Sequence, residues 1–231
     1  AGAPQHEQHP PAALLGEDRT LVPLKGALIA RTEGNPFFIE ESVHTLVETQ
    51  VLVGERGAYR MAKAPGSWQI PATAQAILAS RMDRLTPEDK RLLQTAAVIG
   101  KDVPFGLLRA IADTPEDSLR RSLAQLQTAE FLYEMRLFPD LEFTFKHALT
   151  HQVAYDTLVE ERRRHLHAKI VTAMEQMYSD RLVEHTERLA YHTVRAGLAE
   201  KAIQYLREAG FKALERSAHR ESIELLKQAL S

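Results

Sequence analysis

Residues 147 to 151 read HALTH, which sets His147 and His151 one helical turn apart on a shared face. Two imidazoles at that spacing can hold one metal ion. A zincin, however, needs a glutamate directly after the first histidine to act as base, and Ala148 stands there. No third ligand is evident nearby, so the two rings fit better as packing against the strand that precedes them. His165 and His167 are two apart and fall on different sides of a helix. The stretch ERRRHLH, residues 161 to 167, is the one basic cluster; it suits phosphate contact or a solvated helix face beside Glu160 and Glu161, and the second reading fits the mixed charge. The adjacent pairs Glu40/Glu41 and Glu160/Glu161 point to different sides of a helix and form no acid–base constellation. GERG at 54 to 57 sits in a hairpin context, and the chain has no G-x-x-x-x-G-K-[ST], G-x-G-x-x-G or G-x-S-x-G. No catalytic residue and no metal ligand is therefore assigned.

The totals narrow the classes further. The chain has 231 residues, 44% hydrophobic and 26% charged, enough for a packed core in one or two domains. The formal net charge of -2 is not the footprint of a nucleic-acid binder. With no cysteine, disulfides, thiolate metal sites and cysteine nucleophiles are excluded, and a reducing, cytoplasmic setting fits. No apolar run approaches the roughly 20 residues that span a bilayer. AGAPQHEQHPPAALLGED is no secretory signal and reads as a flexible leader over residues 1–19. The missing initiator Met suggests a piece of something longer.

The elements that must position these residues follow from periodicity and caps. TLVPLKGALIARTEG predicts a helix stopped at Gly34. PFFIEESVHTLVETQVL predicts a second, with Phe37, Phe38, Val43, Leu46 and Val47 on an apolar stripe and Glu40, Glu41 and Glu48 off it. VLVGERGAYRMA reads as a hairpin about Gly54 to Gly57, and KAPGSWQIPA as a loop. Pro71 is expected in the first turn of the next helix. Thr86 and Thr114, each followed by Pro and acidic residues, are expected N-caps. FLYEMR and LEFTFK predict two strands about a Phe-Pro-Asp turn. Helices, then a two-stranded wing, then more helix is the order of a winged helix, here spanning residues 70–150. From 151 to 231 the pattern is helical, and AEKAIQYLREA and HRESIELLKQA echo each other as in helical-hairpin arrays. The fold class is mainly α: a helical segment with a hairpin (20–69), a winged-helix domain with short β-hairpins, and antiparallel helical hairpins of tetratricopeptide-like (TPR-like) type.

Three stretches carry a resemblance: RTEGNPFFIEESVHTLVETQVLVGERGAYRM, IPATAQAILASRMDRLTPEDKRLLQTAAVIG and FTFKHALTHQVAYDTLVEERRRHLHAKI. In order and spacing they resemble the region behind the ATPase core of bacterial STAND-class signalling ATPases. These AAA-related regulators are often fused to an adenylate or guanylate cyclase domain and to tetratricopeptide-like repeats. The most specific parts are G-N-P-F-F-x-x-E and F-x-F-x-H-x-L-x-x-x-x-x-Y. The resemblance implies that Gly34, Asn35 and Pro36 form a lid on the adenine side of a bound nucleotide, with Pro36 against the base. It also implies that the whole protein uses ATP or ADP with Mg, while this chain, lacking Walker A and Walker B segments, is not itself an enzyme and holds no cofactor alone. The implied partners are the ATPase core in cis and a protein at the helical repeats. The alternative from the residues is a DNA-binding winged-helix regulator, in which EDSLRRSLAQLQTAEFL would offer Arg120, Arg121, Gln125 and Gln127 to the groove; its mixed charge argues against duplex binding.

Overall fold

The computed structural model describes residues 14–63, 71–136 and 141–230, and is mainly α. Contacts divide the chain into two compact units between Arg84 and Leu85. The expected loop at 64–70, the Phe-Pro-Asp turn and residues 1–13 of the expected leader lie outside the described residues.

In the first unit, a 3-10 turn at Arg19–Leu21, capped by Asp18, leads into α1 (Val22–Thr32). Helix α2 (Pro36–Glu48) follows, then a hairpin of β1 (Leu52–Val53) and β2 (Arg60–Met61). Leu52 pairs with Met61 and Val53 with Arg60. Leu21, Leu24, Leu28, Ile39, Val43, Leu46 and Leu52 form the core, with Tyr59 and Met61 packed against it. The supposed leader is shorter than expected. Leu14 and Leu15 belong to this core, and their carbonyls accept from the amides of Gly57 (2.9 Å) and Tyr59 (3.1 Å). An apolar pair too short to show periodicity is thus fixed by the hairpin beside it.

Gly16 is the residue that makes this possible. Its φ is +91°, and a Cβ there would sit 2.3 Å from the carbonyl oxygen of Gly57. Gly16→Ala should therefore cost about 2 kcal/mol or more in urea unfolding, from left-handed strain plus a backbone clash. Gly26→Ala is the control. It lies on the exposed side of α1 with nothing within 4 Å of its would-be Cβ, and should gain about 0.5–1 kcal/mol from helix propensity. Equal effects of the two would refute this account.

Helix α3 (Ala74–Asp83) starts later than expected. Thr73 is its N-cap, accepting from the Ala76 amide at 3.1 Å, and Pro71 lies before the helix rather than in its first turn. The hydroxyl outcompetes Pro71 because it satisfies an otherwise orphaned amide. Expected at the start of the 70–150 region, α3 packs on α2 and belongs to the first unit.

The second unit opens with α4 (Pro87–Ile99). Thr86 caps it reciprocally: the Asp89 amide donates to Thr86 Oγ1 at 3.1 Å, and that hydroxyl donates back to the Asp89 carboxylate at 2.7 Å. Then come β3 (Asp102–Pro104), α5 (Phe105–Ile111), α6 (Glu116–Thr128), β4 (Leu132–Arg136) and β5 (Glu142–Phe145). The sheet has three strands, not two. It is antiparallel in the order β3-β5-β4, with Val103 opposite Phe143 and Phe143 opposite Glu134. Strand β3 escapes sequence reading because three residues ending in proline carry no alternation. Thr114 is not the cap of α6; its hydroxyl donates to the Ala112 carbonyl, and Pro115 holds the cap position.

The rest is helical: α7 (Ala148–Asp156), α8 (Glu160–Met177), a 3-10 turn at Leu182–His185, α9 (Thr186–Ala196), α10 (Ala199–Glu215) and α11 (His219–Ala229). Helix α9 stops at Gly197, φ +72°, where the Leu198 amide reaches back to Thr193 O at 3.0 Å. Helix α10 stops the same way at Ser217, φ +61°, with the Ala218 amide on Ala213 O at 2.9 Å. Short links of this kind make neighbours antiparallel. At Gly210 a side chain would meet Leu226 Cγ at 2.8 Å, so its bareness sets how close α11 lies to α10. The echoing segments are thus the two arms of one helical hairpin. No helix among the described residues is long and apolar enough to cross a membrane.

Candidate functional site

The turn between α1 and α2 is built by two successive left-handed residues, Glu33 (φ +51°) and Gly34 (φ +76°). Nothing lies within 4 Å of where a Gly34 Cβ would stand, so glycine is needed there for its backbone angle and not for space. Asn35 is the N-cap of α2. Its side-chain oxygen accepts from the Phe38 amide at 3.2 Å, which the sequence did not reveal. Pro36 takes the first helical position, where a missing N–H costs nothing. Gly34, Asn35 and Pro36 are all exposed, while Phe38 and Ile39 just behind them are buried. The turn is a capped corner whose outer face is exposed.

The glutamate that closes the G-N-P-F-F-x-x-E pattern is Glu41, and it is not on a solvated face. It is buried and ion-paired with Arg81 of α3; both side chains are 2% exposed. The same guanidinium donates through Nε to Glu48 at 3.1 Å, and Glu48 also holds Arg84 at 2.5 Å. Two carboxylates of α2 and two guanidiniums of α3 thus lock the helix that follows the turn to its neighbour. Long sequence separation hid this pairing.

In the second unit the histidines of HALTH do not gather as ligands. His147 is the N-cap residue of α7, and His151 Nε2 lies 2.9 Å from the Ala97 carbonyl, with its ring edge-on to Phe145 of β5 at 5.2 Å. His151 thus packs against the wing strand, as expected of the pair. His165 is exposed and His167 fully buried, on opposite sides of α8. His167 Nδ1 lies 2.8 Å from Nδ1 of His192 on α9, so one ring donates and the other accepts; its Nε2 meets the Tyr155 hydroxyl at 3.1 Å. Burial pushes His167 down to about 4, with Arg195 and Arg163 adding to the fall. Burial likewise takes His192 to about 3, helped by His167, Arg188 and Arg195. Both are neutral at pH 7.

The candidate DNA-reading helix is α6, and its arginines are engaged. Glu116 accepts from Arg120 at 2.7 Å and from Arg109 of α5 at 3.1 Å. Arg120 also covers the Phe105 ring, while Arg121 donates to Ser118 Oγ at 2.9 Å.

No family model matches the chain. An uncharacterised protein of Rhizobium meliloti strain 1021 is 29% identical over 198 residues, 85% of this chain. The chain spans 19% of that protein's length.

Proposed function

We propose that this chain is a non-catalytic regulatory and interaction segment of a multidomain signalling ATPase of the STAND class. The observation that carries the reading is the corner at Gly34–Pro36: a rigid, capped turn facing outward and anchored through Glu41 and Arg81. A surface that closes over a ligand held by another domain needs that combination of exposure and stiffness. The element order of the second unit supports a winged-helix spacer, since α4, β3, α5, α6, β4 and β5 follow one another with β3 joined to β5. Helices α9 to α11 support TPR-like hairpins. Ile203, Phe211 and Leu214 of α10 and Ile223 of α11 stay about half exposed, an apolar strip for a protein partner. The relative's greater length fits a segment working within a longer chain; on the signalling-ATPase reading that longer chain is cytoplasmic and binds ATP or ADP with Mg.

The nucleotide state sensed at the corner would pass through α2 and the buried ion pairs, and partner binding at the hairpins would bias the same equilibrium. Calorimetric titration of ADP into this chain should be silent, and an upstream-extended chain should bind tightly. In the extended protein, Pro36→Ala should weaken ADP retention by about fivefold or more. Unchanged retention would sink the lid assignment. The second reading, a DNA-binding regulator, is disfavoured because Glu116 already holds Arg109 and Arg120; a mobility shift with a steep salt slope would restore it.

A further inference from the structure

Three arginines gather where the end of α7, the first turns of α8 and the end of α9 come together. A cleft of about 280 Å³ opens there, and Tyr155, Glu160, Arg163, Arg164, His167 and Arg195 line it. Its charges do not cancel. Glu160 pairs with Arg164 at 3.2 Å, one helical turn away, and both are largely exposed. Arg163 and Arg195 have no carboxylate partner among the described residues. Each lies over a tyrosine ring instead: Arg163 over Tyr155 at 5.2 Å, Arg195 over Tyr191 at 3.7 Å. A tyrosine ring takes no N–H bond in the plane of a guanidinium, so this contact, closest at Arg195, leaves in-plane N–H groups to bind. The Nε of Arg163 is itself buried and meets no acceptor, so a ligand in the cleft would meet this side chain through its terminal nitrogens. The positive end of α8 and the negative ends of α7 and α9 border the cleft; each carries only about half a charge, so the two full charges of Arg163 and Arg195 decide the sign of the site.

Two uncompensated, preoriented cations over one opening call for a ligand with about two negative charges and several acceptor oxygens. A carboxylate offers two oxygens and one charge. A phosphomonoester offers three oxygens and nearly two charges at neutral pH. We propose that this cleft binds the phosphate group of a small phosphorylated molecule, with Arg163 and Arg195 as its principal ligands and the Tyr155–His167 pair as its neutral wall. This site is independent of the Gly34–Pro36 corner and of the nucleotide reading attached to it.

The test is titration of inorganic phosphate and of glycerol phosphate into the 231-residue chain. It runs near neutral pH and at constant ionic strength, read by the arginine Nε–H resonances. Arg163 and Arg195 should shift saturably with either anion. Arg163→Gln with Arg195→Gln should lower the affinity about tenfold or more, and Arg164→Gln less, because Glu160 already occupies Arg164. The pair Arg163→Lys and Arg195→Lys keeps the charge without the fork; it should bind phosphate more weakly than the parent, and carries the test if the glutamine variant proves poorly folded. Acetate matching phosphate at equal ionic strength would reduce the site to charge screening and overturn the proposal. So would unchanged phosphate affinity in both double variants. Phosphatidylcholine vesicles carrying a minor share of phosphatidate should bind no better than glycerol phosphate; retention by vesicles alone would replace the small molecule with a lipid surface.

Discussion

Arg81→Ala should destabilise the first unit by about 3–5 kcal/mol, because it strands the Glu41 carboxylate in a site with 2% exposure. Cavity formation alone can cost as much, so a second variant is needed to separate the two causes. A chain carrying both Glu41→Leu and Arg81→Met removes the charges together and fills the space with apolar groups. It should recover most of that loss, since buried ion pairs replaced by packed hydrophobes are often neutral or stabilising. Glu48 is half-exposed and keeps Arg84, so it tolerates losing the Arg81 Nε contact. Urea unfolding of Glu41→Leu alone, Arg81→Met alone and the double variant forms the cycle. Additive losses, with the double variant as unstable as the sum of the singles, would show that the pair is not coupled. The double variant also separates two roles of the ion pair. If it restores stability yet leaves ADP retention impaired in the extended protein, the pair serves to transmit from the corner at Gly34–Pro36 and not only to hold α3.

Acidification should weaken the second unit between pH 6.5 and about 3, through His167 and His192. Both sit below the ordinary histidine value of 6.5 in the folded chain, at about 4 and about 3. The unfolded chain therefore takes up protons in that window before the folded one does, and stability falls as pH falls. Above pH 6.5 both states hold neutral rings and the contribution is constant. A depression of this size corresponds to on the order of 3 kcal/mol for one ring. The two rings share one hydrogen bond, so their losses do not simply add. His192→Asn keeps an acceptor for His167 and removes one titration. It should lower stability at pH 7 yet leave a shallower slope between pH 6 and 4 in thermal melts. A slope equal to the parent's would assign the acid sensitivity to other groups.

The sequence made the helices, their order and several caps legible, because Thr86, Pro87 and Pro36 act within one turn of themselves. It located the hairpin strands for the same reason. What it missed depends on residues far apart in the chain. Strand β3 exists only by pairing with β5; Glu41 is buried only because Arg81 arrives from α3; Leu14 and Leu15 are core only because the β1–β2 hairpin lies beside them. Thr114 shows the local rule failing. The same Thr-Pro-acidic pattern that caps α4 does not cap α6, because the Thr114 hydroxyl finds the Ala112 carbonyl first. Of the candidate sites, the geometry of Gly34, Asn35 and Pro36 was readable as a turn. The arginine cleft was not, since ERRRHLH gives three of its lining residues while Tyr155 and Arg195 come from other helices.

The backbone bonds from Leu14 and Leu15 to Gly57 and Tyr59 also set an order of events during synthesis. Leu14 and Leu15 are made before the rest of their unit's core yet are among its last residues to find partners, because the amides that donate to their carbonyls appear roughly forty residues later, seconds at ordinary elongation rates. Until then α1 and α2 can pair, but their core stays open along the edge that Leu15 closes. The first unit therefore closes its core only once the β1–β2 hairpin has been made, and apolar surface along that edge stays exposed until then.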